Sequence, residues 1–311
     1  MNTRKTKIIA IVGPTASGKS DLAVYLAKKI AGEIMSADSR QVYKTLNIGT
    51  AKISKRQMKG IKHHLLDIVS LKNIFTAADF KKHGEKALEK IIQNGNVPIV
   101  CGGTGFYLHL LLNKIELSGI EPDWVLRKKL EKKTTKELFQ MLKKINPKRA
   151  ENIDSKNPRR LIRAIEIASN TPKTPGIIES GNLLKSCLAD RQADFDILWL
   201  GIKPNETTLK NRIEKRIKQM FQNGLLEEVK KIRKNKLTWK RIEELGFEYK
   251  YPALYLRKKI SISMEEMVQK MILENNQYAK RQMTWFNKYA PKTHWLKTKE
   301  EALNLAKKFL S

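Results

Sequence analysis

Eight residues near the amino end combine glycines with a lysine and a serine in a fixed spacing. Residues 13–20 read Gly-Pro-Thr-Ala-Ser-Gly-Lys-Ser, a complete G-x-x-x-x-G-K-[ST] phosphate-binding loop. The glycines let the backbone turn so that its N–H groups converge on one oxyanion, and the dipole of the following helix adds positive charge. Lys19 can neutralise an outer phosphate, and the Ser20 hydroxyl can bind Mg²⁺. The pattern therefore predicts that the protein binds a di- or triphosphate.

Two further segments place polar residues directly after predicted strands. Asp38, within 36–43, could accept a proton from a nucleophile or support Mg²⁺ indirectly, although an aspartate here could also cap the following turn. Thr104 follows two glycines that allow a close approach of the backbone to a ligand, but it could instead cap the next helix. Many phosphate-loop proteins carry a metal-binding aspartate at this second place, so its absence argues against an ordinary ATPase.

Arginines recur at helical spacing in two places. Arg212 and Arg216 are four residues apart, so both can clamp phosphate oxygens from one helix face. The alternative is an exposed stripe that pairs with neighbours such as Glu214. A second basic helix start, suited to an RNA backbone, contains Arg159, Arg160 and Arg163.

Two other groups of side chains are interpreted as structural. His63 and His64 are adjacent, so they cannot share one strand or helix face as metal ligands. Four aromatic residues alternate with basic residues near the end of the chain, and core packing is favoured there over stacking on nucleobases: Tyr278, Trp285, Phe286 and Tyr289.

The elements that must position these residues alternate between strand and helix. Short apolar runs predict buried strands at 7–12, 33–37 and 97–101, and helices are predicted at 21–30 and 106–112. This alternation indicates an α/β fold, a parallel sheet flanked by helices. Because ligands collect at the carboxyl ends of parallel strands, we expect the phosphate loop, Asp38 and Thr104 to face one crevice.

The pattern changes after residue 117. Residues 118–190 are helical and basic in pattern and interrupted by prolines, and a strand at 194–202 is expected to complete the sheet. We therefore predict a P-loop catalytic core from residues 1–117 and 191–311, with a helical C-terminal part. Residues 118–190 would form a helical insertion domain.

Composition and charge restrict the class of protein. Of the 311 residues, 41% are hydrophobic, and the two cysteines are too few for a disulfide framework. No apolar stretch approaches the ~18 residues of a membrane span and no signal peptide is recognised, so a cytoplasmic protein without a membrane partner is expected. The net charge of +31 favours a nucleic acid as partner. The alternative is that the positive charge only reflects many lysines on solvated helix faces, with no nucleic-acid partner.

Eight segments in this order resemble the tRNA dimethylallyltransferases, also called tRNA isopentenyltransferases. The resemblance spans residues 8 to about 290, and the segment around Asp38 and the Ala-Lys-Arg-Gln-x-Thr-Trp string are specific to it. The zinc-finger tail of eukaryotic members has no counterpart, so a bacterial type is expected. The matching segments are 13–20, 36–44, 48–52, 63–68, 102–107, 157–164, 224–229 and 278–286.

The resemblance implies transfer of a dimethylallyl group from dimethylallyl diphosphate to N6 of the adenosine 3′-adjacent to the anticodon. Asp38 would take the N6 proton, Thr104 would position N6 or a bridging water, and Lys19 would stabilise the leaving diphosphate. The donor would be bound, with Mg²⁺ on Ser20, by Gly13, Pro14, Thr15, Ala16, Ser17, Gly18, Lys19, Ser20, Arg212 and Arg216. The tRNA anticodon stem-loop would contact a monomer at Asp38, Ser39, Arg40, Gln41, Thr104, Arg127, Arg159, Arg160, Arg163, Arg241 and Gly246.

Two other functions fit part of the sequence. A small-molecule kinase would bind ATP in the loop and use Asp38 to activate a hydroxyl, and an RNA-binding NTPase switch would hydrolyse a nucleotide. The basic insertion disfavours the kinase, and the missing aspartate after Val100 disfavours the switch.

Overall fold

The computed structural model describes residues 5–112, 117–170 and 195–311. Six strands occur in these ranges: β1 Thr6–Val12, β2 Gly32–Ser36, β3 His63–His64, β4 Val97–Cys101, β5 Phe195–Gly201 and β6 His294–Trp295. The helices of the same ranges are α1 Lys19–Lys29, α2 Lys55–Met58, α3 Ala77–Gln93, α4 Gly105–Leu112, α5 Trp124–Leu130, α6 Thr135–Ile145, α7 Pro147–Glu151, α8 Pro158–Asn170, α9 Glu206–Gln222, α10 Leu225–Lys234, α11 Trp239–Glu243, α12 Phe247–Leu256, α13 Met264–Tyr289 and α14 Lys299–Leu310.

The strands form one parallel sheet in the order β3-β2-β4-β1-β5-β6. In the centre of the sheet, Ile9 of β1 lies beside Ile99 of β4 and Leu198 of β5. These three side chains are buried, as expected for parallel strands that helices cover on both faces. The predicted α/β fold with a helix-flanked parallel sheet is confirmed.

The two strands at the edges of the sheet were not predicted from the sequence. The strand predicted at 194–202 is β5, but it pairs with β1 inside the sheet, and the two-residue β6 extends the sheet beyond it. The opposite edge is β3, another strand of two residues. Periodicity needs about four residues before it indicates a strand, so neither edge was predictable from the pattern.

The helical C-terminal part packs against the segment after β2. Ile213 and Ile217 of α9 and Tyr249 of α12 form one buried cluster with Val42 and Leu46. Burial of such side chains stabilises a fold by about 1.5–3 kcal/mol each. This cluster holds α9 beside the carboxyl end of the sheet.

The described residues divide into two compact units. One contains 5–112 and 195–311, and the other contains 117–170. In the second unit α5, α6, α7 and α8 pack around apolar residues that include Leu138, Leu142 and Leu161. The domain border predicted at 190–191 lies outside the described residues. No helix in the described ranges is both long and apolar enough to cross a bilayer.

Candidate functional site

A cavity of about 670 Å³ opens in the first unit where the carboxyl ends of β1, β2 and β4 meet. Lys19 contributes from the loop after β1, Asp38 from the segment after β2 and Gly102 from the segment after β4. Helices α9 and α13 supply further wall residues, among them Arg216 and Gln282. The crevice expected from the three strand ends is therefore present.

The phosphate-binding loop forms one wall of this cavity. Six of its eight residues, Thr15 to Ser20, line the cavity, whereas Gly13 and Pro14 lie outside the wall. Gly18 precedes α1 with a φ of +97°, a conformation that other residues adopt only at a cost. The Lys19 ammonium donates to the Pro14 carbonyl at 2.6 Å. Burial, with a smaller contribution from the nearby Arg216, lowers the pKa of Lys19 to about 8, and a bound anion would favour its charged form.

Two arginines of α9 line the same cavity. Arg212 Nη1 donates to the Ser17 carbonyl at 3.1 Å, and Arg216 Nη2 lies 3.5 Å from the Thr50 carbonyl. Arg216 Nε is buried without a hydrogen-bond partner among the described residues. Burial also lowers the pKa of Arg216, because it removes the guanidinium group from solvent. These N–H groups can bind phosphate oxygens.

The alternative pairing of these arginines with Glu214 does not form. Glu214 instead contacts Lys218 at 2.6 Å on the outer side of the helix. The i, i+4 spacing therefore directs Arg212 and Arg216 to the cavity and leaves the acidic neighbour to an ordinary surface pair.

The two carboxylate oxygens of Asp38 have different surroundings. Its Oδ1 accepts the N–H groups of Arg40 at 2.8 Å and Gln41 at 3.2 Å, so the carboxylate caps the turn. Within the described residues, Oδ2 makes no hydrogen bond, and Asp38 lines the cavity. One oxygen shapes the turn, and the other is available to accept a proton.

Thr104 lies behind this segment rather than in the cavity wall. Its Oγ1 accepts the Ser39 N–H at 3.3 Å, and its own N–H donates to the Ala37 carbonyl at 3.2 Å. The Thr104 carbonyl accepts the Tyr107 N–H at 2.9 Å and so begins α4. Thr104 therefore ties the strand end that carries Asp38 to the glycine-rich segment after β4.

The residues predicted to bind tRNA fall into three structural groups. In the first unit, Ser39, Arg40, Gln41 and Gly246 join Asp38 in the cavity wall. Arg241 does not line the cavity, because its Nη2 donates to the Tyr43 hydroxyl and the Asn73 carbonyl, both at 3.0 Å. The arginines of the second unit form the third group.

In the second unit, Arg127 and Arg163 both bind the fully buried carboxylate of Glu166. Arg159 and Arg160 are exposed at the start of α8. Arg127 gave no local signal in the sequence, because its acidic partner lies 39 residues away. Arg163 lies three residues before Glu166 on the same helix, but the spacing alone did not show that this carboxylate is buried. A structural role is observed for Arg127 and Arg163, and contact of all four arginines with tRNA stays a prediction.

Two carboxylates that the sequence analysis did not identify also shape the site. Glu248 lines the cavity, where burial raises the pKa of its carboxyl to about 7, and the neighbouring Asp38 adds to this rise. Glu228 accepts the N–H groups of Asn47 and Ile48 at 2.9 and 2.8 Å. It thereby anchors the segment whose Thr50 carbonyl lies beside Arg216. The motif 224–229 contained Glu228, but nothing local indicated its partner.

Among the residues interpreted as structural, His64 and Phe286 have contacts that fit this interpretation. His64 Nε2 contacts the buried carboxylate of Glu33 at 2.5 Å, and Phe286 is fully buried against Trp285. His63 and Tyr278, in contrast, line the cavity. Adjacent strand residues face opposite sides, which explains why the two histidines separate.

The donor set at the loop fits a magnesium ion that a diphosphate helps to hold. No group of three or more His, Cys, Asp or Glu residues within the described ranges could hold a metal ion by itself. Ser20 offers one hydroxyl in the cavity wall. Mg²⁺ is typically bound by one or two protein oxygens together with substrate phosphates and waters, so this arrangement suits it.

Comparisons with known proteins identify the family. The family model described as IPP transferase matches residues 41–289. The tRNA dimethylallyltransferase of Acetivibrio thermocellus is 38% identical over 297 residues, which cover 94% of this chain and 92% of that protein. The tRNA dimethylallyltransferase of Pediococcus pentosaceus is 39% identical over 284 residues, covering 90% and 87%.

Solved structures give the same result. The full-length tRNA isopentenylpyrophosphate transferase from Bacillus halodurans has a TM-score of 0.71 at 32% identity, covering 98% of this chain and 97% of that chain. A eukaryotic dimethylallyltransferase acting on tRNA has a TM-score of 0.70 at 29% identity, covering 90% and 70%. The fold, the cavity and these matches define the protein as a prenyltransferase. The chain belongs to the tRNA dimethylallyltransferase family.

Proposed function

We propose that this protein transfers the dimethylallyl group of dimethylallyl diphosphate to N6 of the adenosine 3′-adjacent to the anticodon in tRNA, releasing diphosphate. One observation carries the proposal. The phosphate loop with its Lys19, the guanidinium groups of Arg212 and Arg216, and the carboxylate of Asp38 line a single cavity of about 670 Å³. A site that binds an anionic leaving group beside a proton acceptor is what this transfer needs.

The cationic wall suits the departing diphosphate. As the C1–O bond of the donor breaks, negative charge grows on the diphosphate oxygens. The backbone N–H groups of the loop, Lys19 and Arg216 would stabilise that charge through hydrogen bonds that are already oriented towards it. Mg²⁺ held by the Ser20 hydroxyl would supply Lewis-acid stabilisation of the same leaving group.

The carboxylate of Asp38 suits the accepting nitrogen. The lone pair of adenine N6 is delocalised into the ring, so N6 attacks poorly while it keeps both protons. When the N6–C1 bond forms, one proton would pass from N6 to the free oxygen of Asp38. The base must leave its stack to reach the cavity, as it does in other enzymes that modify nucleobases.

The second unit and the high net charge support binding of the rest of the RNA. Arg159 and Arg160 are exposed at the start of α8 and can bind phosphates. We expect a monomer that acts on one tRNA in the cytoplasm.

Label transfer tests the proposal directly. The purified protein is incubated with dimethylallyl diphosphate carrying a labelled prenyl group, Mg²⁺ and an unmodified tRNA transcript, without ATP. Label is expected in the RNA, and a transcript with guanosine at the target position serves as the control. ATP hydrolysis or phosphoryl transfer without prenylation would contradict the proposal and favour a kinase or an NTPase.

A further inference from the structure

Gln282 of α13 contacts two loops of the site at once. Its Oε1 accepts the Thr15 N–H at 2.8 Å, and its Nε2 donates to the Gly103 carbonyl at 2.9 Å. The residue is buried, with 6% of its surface exposed. The two partners also fix the orientation of the amide, because a flip would set oxygen against oxygen and N–H against N–H.

The two loops serve the two substrates of the proposed reaction. Thr15 belongs to the phosphate loop, which would hold the diphosphate of the donor. Gly103 is followed by Thr104, which bonds the backbone of Ala37 and Ser39 on both sides of Asp38. Gln282 is therefore a direct polar link between the donor side and the acceptor side.

Helix α13 fits closely against the second loop. Gly103 has no side chain, and a Cβ there would overlap Gln282 Nε2. A Cβ on Gly105 would likewise overlap the ring of Trp285, which lies three residues after Gln282 on the same helix. Since α13 can approach the loop this closely only at glycines, the position of Gly103 relative to Gln282 is set by packing as well as by the hydrogen bond.

We propose that Gln282 is a positioning residue that sets the separation between the phosphate loop and the segment carrying Asp38. The inference rests on the proposed prenyl transfer for its catalytic meaning. Bond formation between N6 and C1 requires the two substrates to approach within about 3–3.5 Å, and a misplacement of about 1 Å can lower the rate about 10²-fold. Losing the link should therefore slow the chemical step more than it weakens binding of either substrate.

Two variants separate the two hydrogen bonds. Gln282→Glu keeps an oxygen for the Thr15 N–H but sets a carboxylate oxygen against the Gly103 carbonyl. Gln282→Met keeps the length of the side chain and loses both hydrogen bonds. Gln277→Glu on the exposed side of α13 is the matched control for the change in charge.

Single-turnover rates and binding of each substrate give the first readout. For both Gln282 variants we expect the rate of transfer to fall on the order of 10²-fold, with the affinities for pyrophosphate and for tRNA within about threefold of the wild type. A rate within about threefold of the wild type in protein with an unchanged melting temperature would overturn the inference. So would a loss of pyrophosphate affinity as large as the loss of rate, since Gln282 would then belong to the phosphate site.

Hydrogen exchange gives a readout that does not depend on turnover. Pyrophosphate is expected to slow amide exchange in the wild type both in the phosphate loop and at 102–105. In Gln282→Met, only the phosphate loop should respond. Equal protection at 102–105 in the variant and the wild type would refute the link. If the wild type transferred no prenyl group, the proposed function would fail, and this comparison would still decide whether Gln282 couples the loops.

Discussion

Arg127 and Glu166 form a bidentate ion pair in the second unit. Nε and Nη2 of the arginine lie 2.8 and 2.7 Å from the two carboxylate oxygens. Arg163 binds the same carboxylate and also donates to the Ser118 hydroxyl and the Ile120 carbonyl. Glu166 is fully buried, and its charge is stabilised by these two arginines together with the Asp123 N–H, which donates to Oε1 at 2.6 Å.

This arrangement predicts that neighbouring arginines of α8 differ in their effect. Arg163→Ala should destabilise the second unit by about 2–4 kcal/mol, because it removes one partner of a buried charge. Arg160→Ala should change stability by less than about 0.5 kcal/mol, since its side chain is exposed. Denaturant unfolding of the two variants measures the contrast.

The exposed Arg160 should matter for tRNA binding although it contributes little to stability. Arg160→Ala is expected to weaken binding and to reduce the slope of log K against log salt concentration by about one. Titrations at several salt concentrations check this. An unchanged slope would exclude contact between Arg160 and an RNA phosphate.

The shared role of Asp38 in the turn and in the cavity predicts a difference between two substitutions. Asp38→Asn keeps an oxygen for the N–H groups of Arg40 and Gln41, so the turn should persist while the proton acceptor is lost. We expect kcat to fall about 10²-fold or more with little change in tRNA affinity. Asp38→Ala should lose the same activity and also destabilise the turn. Retention of kcat in Asp38→Asn would rule out Asp38 as the base.

Glu248 predicts a pH dependence of diphosphate binding. Its carboxyl is neutral below about pH 7 and ionised above it, because burial raises its pKa to about 7. The charged or titratable groups around it are Asp38, Arg40, Arg216, Tyr249 and Tyr278. Ionisation adds a negative charge to the cavity, so affinity for pyrophosphate should fall as the pH rises through 7, by about 3- to 10-fold.

Comparison with Glu248→Gln isolates this effect from the titration of pyrophosphate itself. The ratio of wild-type to variant affinity should decrease across neutral pH, as measured by calorimetry with the same ligand at each pH. Glu265→Gln on the exposed start of α13 is the matched control, and its ratio should stay constant. A constant ratio for Glu248→Gln would contradict the prediction.

A buried polar network at the edge of the sheet predicts a pH dependence of stability. Burial acts to raise the pKa of Glu33, but hydrogen bonds from His64, Asn96, Asn94 and Lys62 outweigh it and hold the pKa at about 2. The unfolded carboxyl titrates at 4.5. Its stabilising contribution is therefore complete above the unfolded value and is lost as the pH falls through that range towards 2.

Glu33→Gln tests this contribution. We expect a loss of about 1–3 kcal/mol in the free energy of unfolding near neutral pH, and a smaller difference from the wild type at about pH 3. Denaturant unfolding at a series of pH values gives both numbers. Glu85→Gln, on the exposed face of α3, should behave like the wild type throughout. A difference that stayed the same at all pH values would show that the ionised form is not what stabilises the network.

The sequence predicted those strands and loops whose conformation depends on neighbouring residues. The strands β1, β2 and β4 are buried apolar runs, and the loop after β1 carries its own spacing rule. Their carboxyl ends meet because parallel strands share one direction, so the meeting of Lys19 with Asp38 follows from topology.

Partners far apart in sequence were not predictable in this way. Gln282 bonds Thr15 across most of the chain, and Glu228 bonds the backbone of Ile48. Each of these residues lies on an ordinary amphipathic helix, where a polar side chain gives no sign of what it will contact. Contacts between helices and loops that are distant in sequence therefore became known only from the structure.

The order of strands has a consequence for synthesis on the ribosome. The central strand β1 pairs on one side with β4, which is made before the second unit, and on the other with β5, which is made after it. The nascent sheet consequently carries an open hydrogen-bonding edge on an apolar central strand while the whole second unit is translated. Until β5 has been synthesised, this unpaired edge can pair with other chains. We therefore expect the emerging chain to aggregate most readily, and to need chaperones most, during this interval.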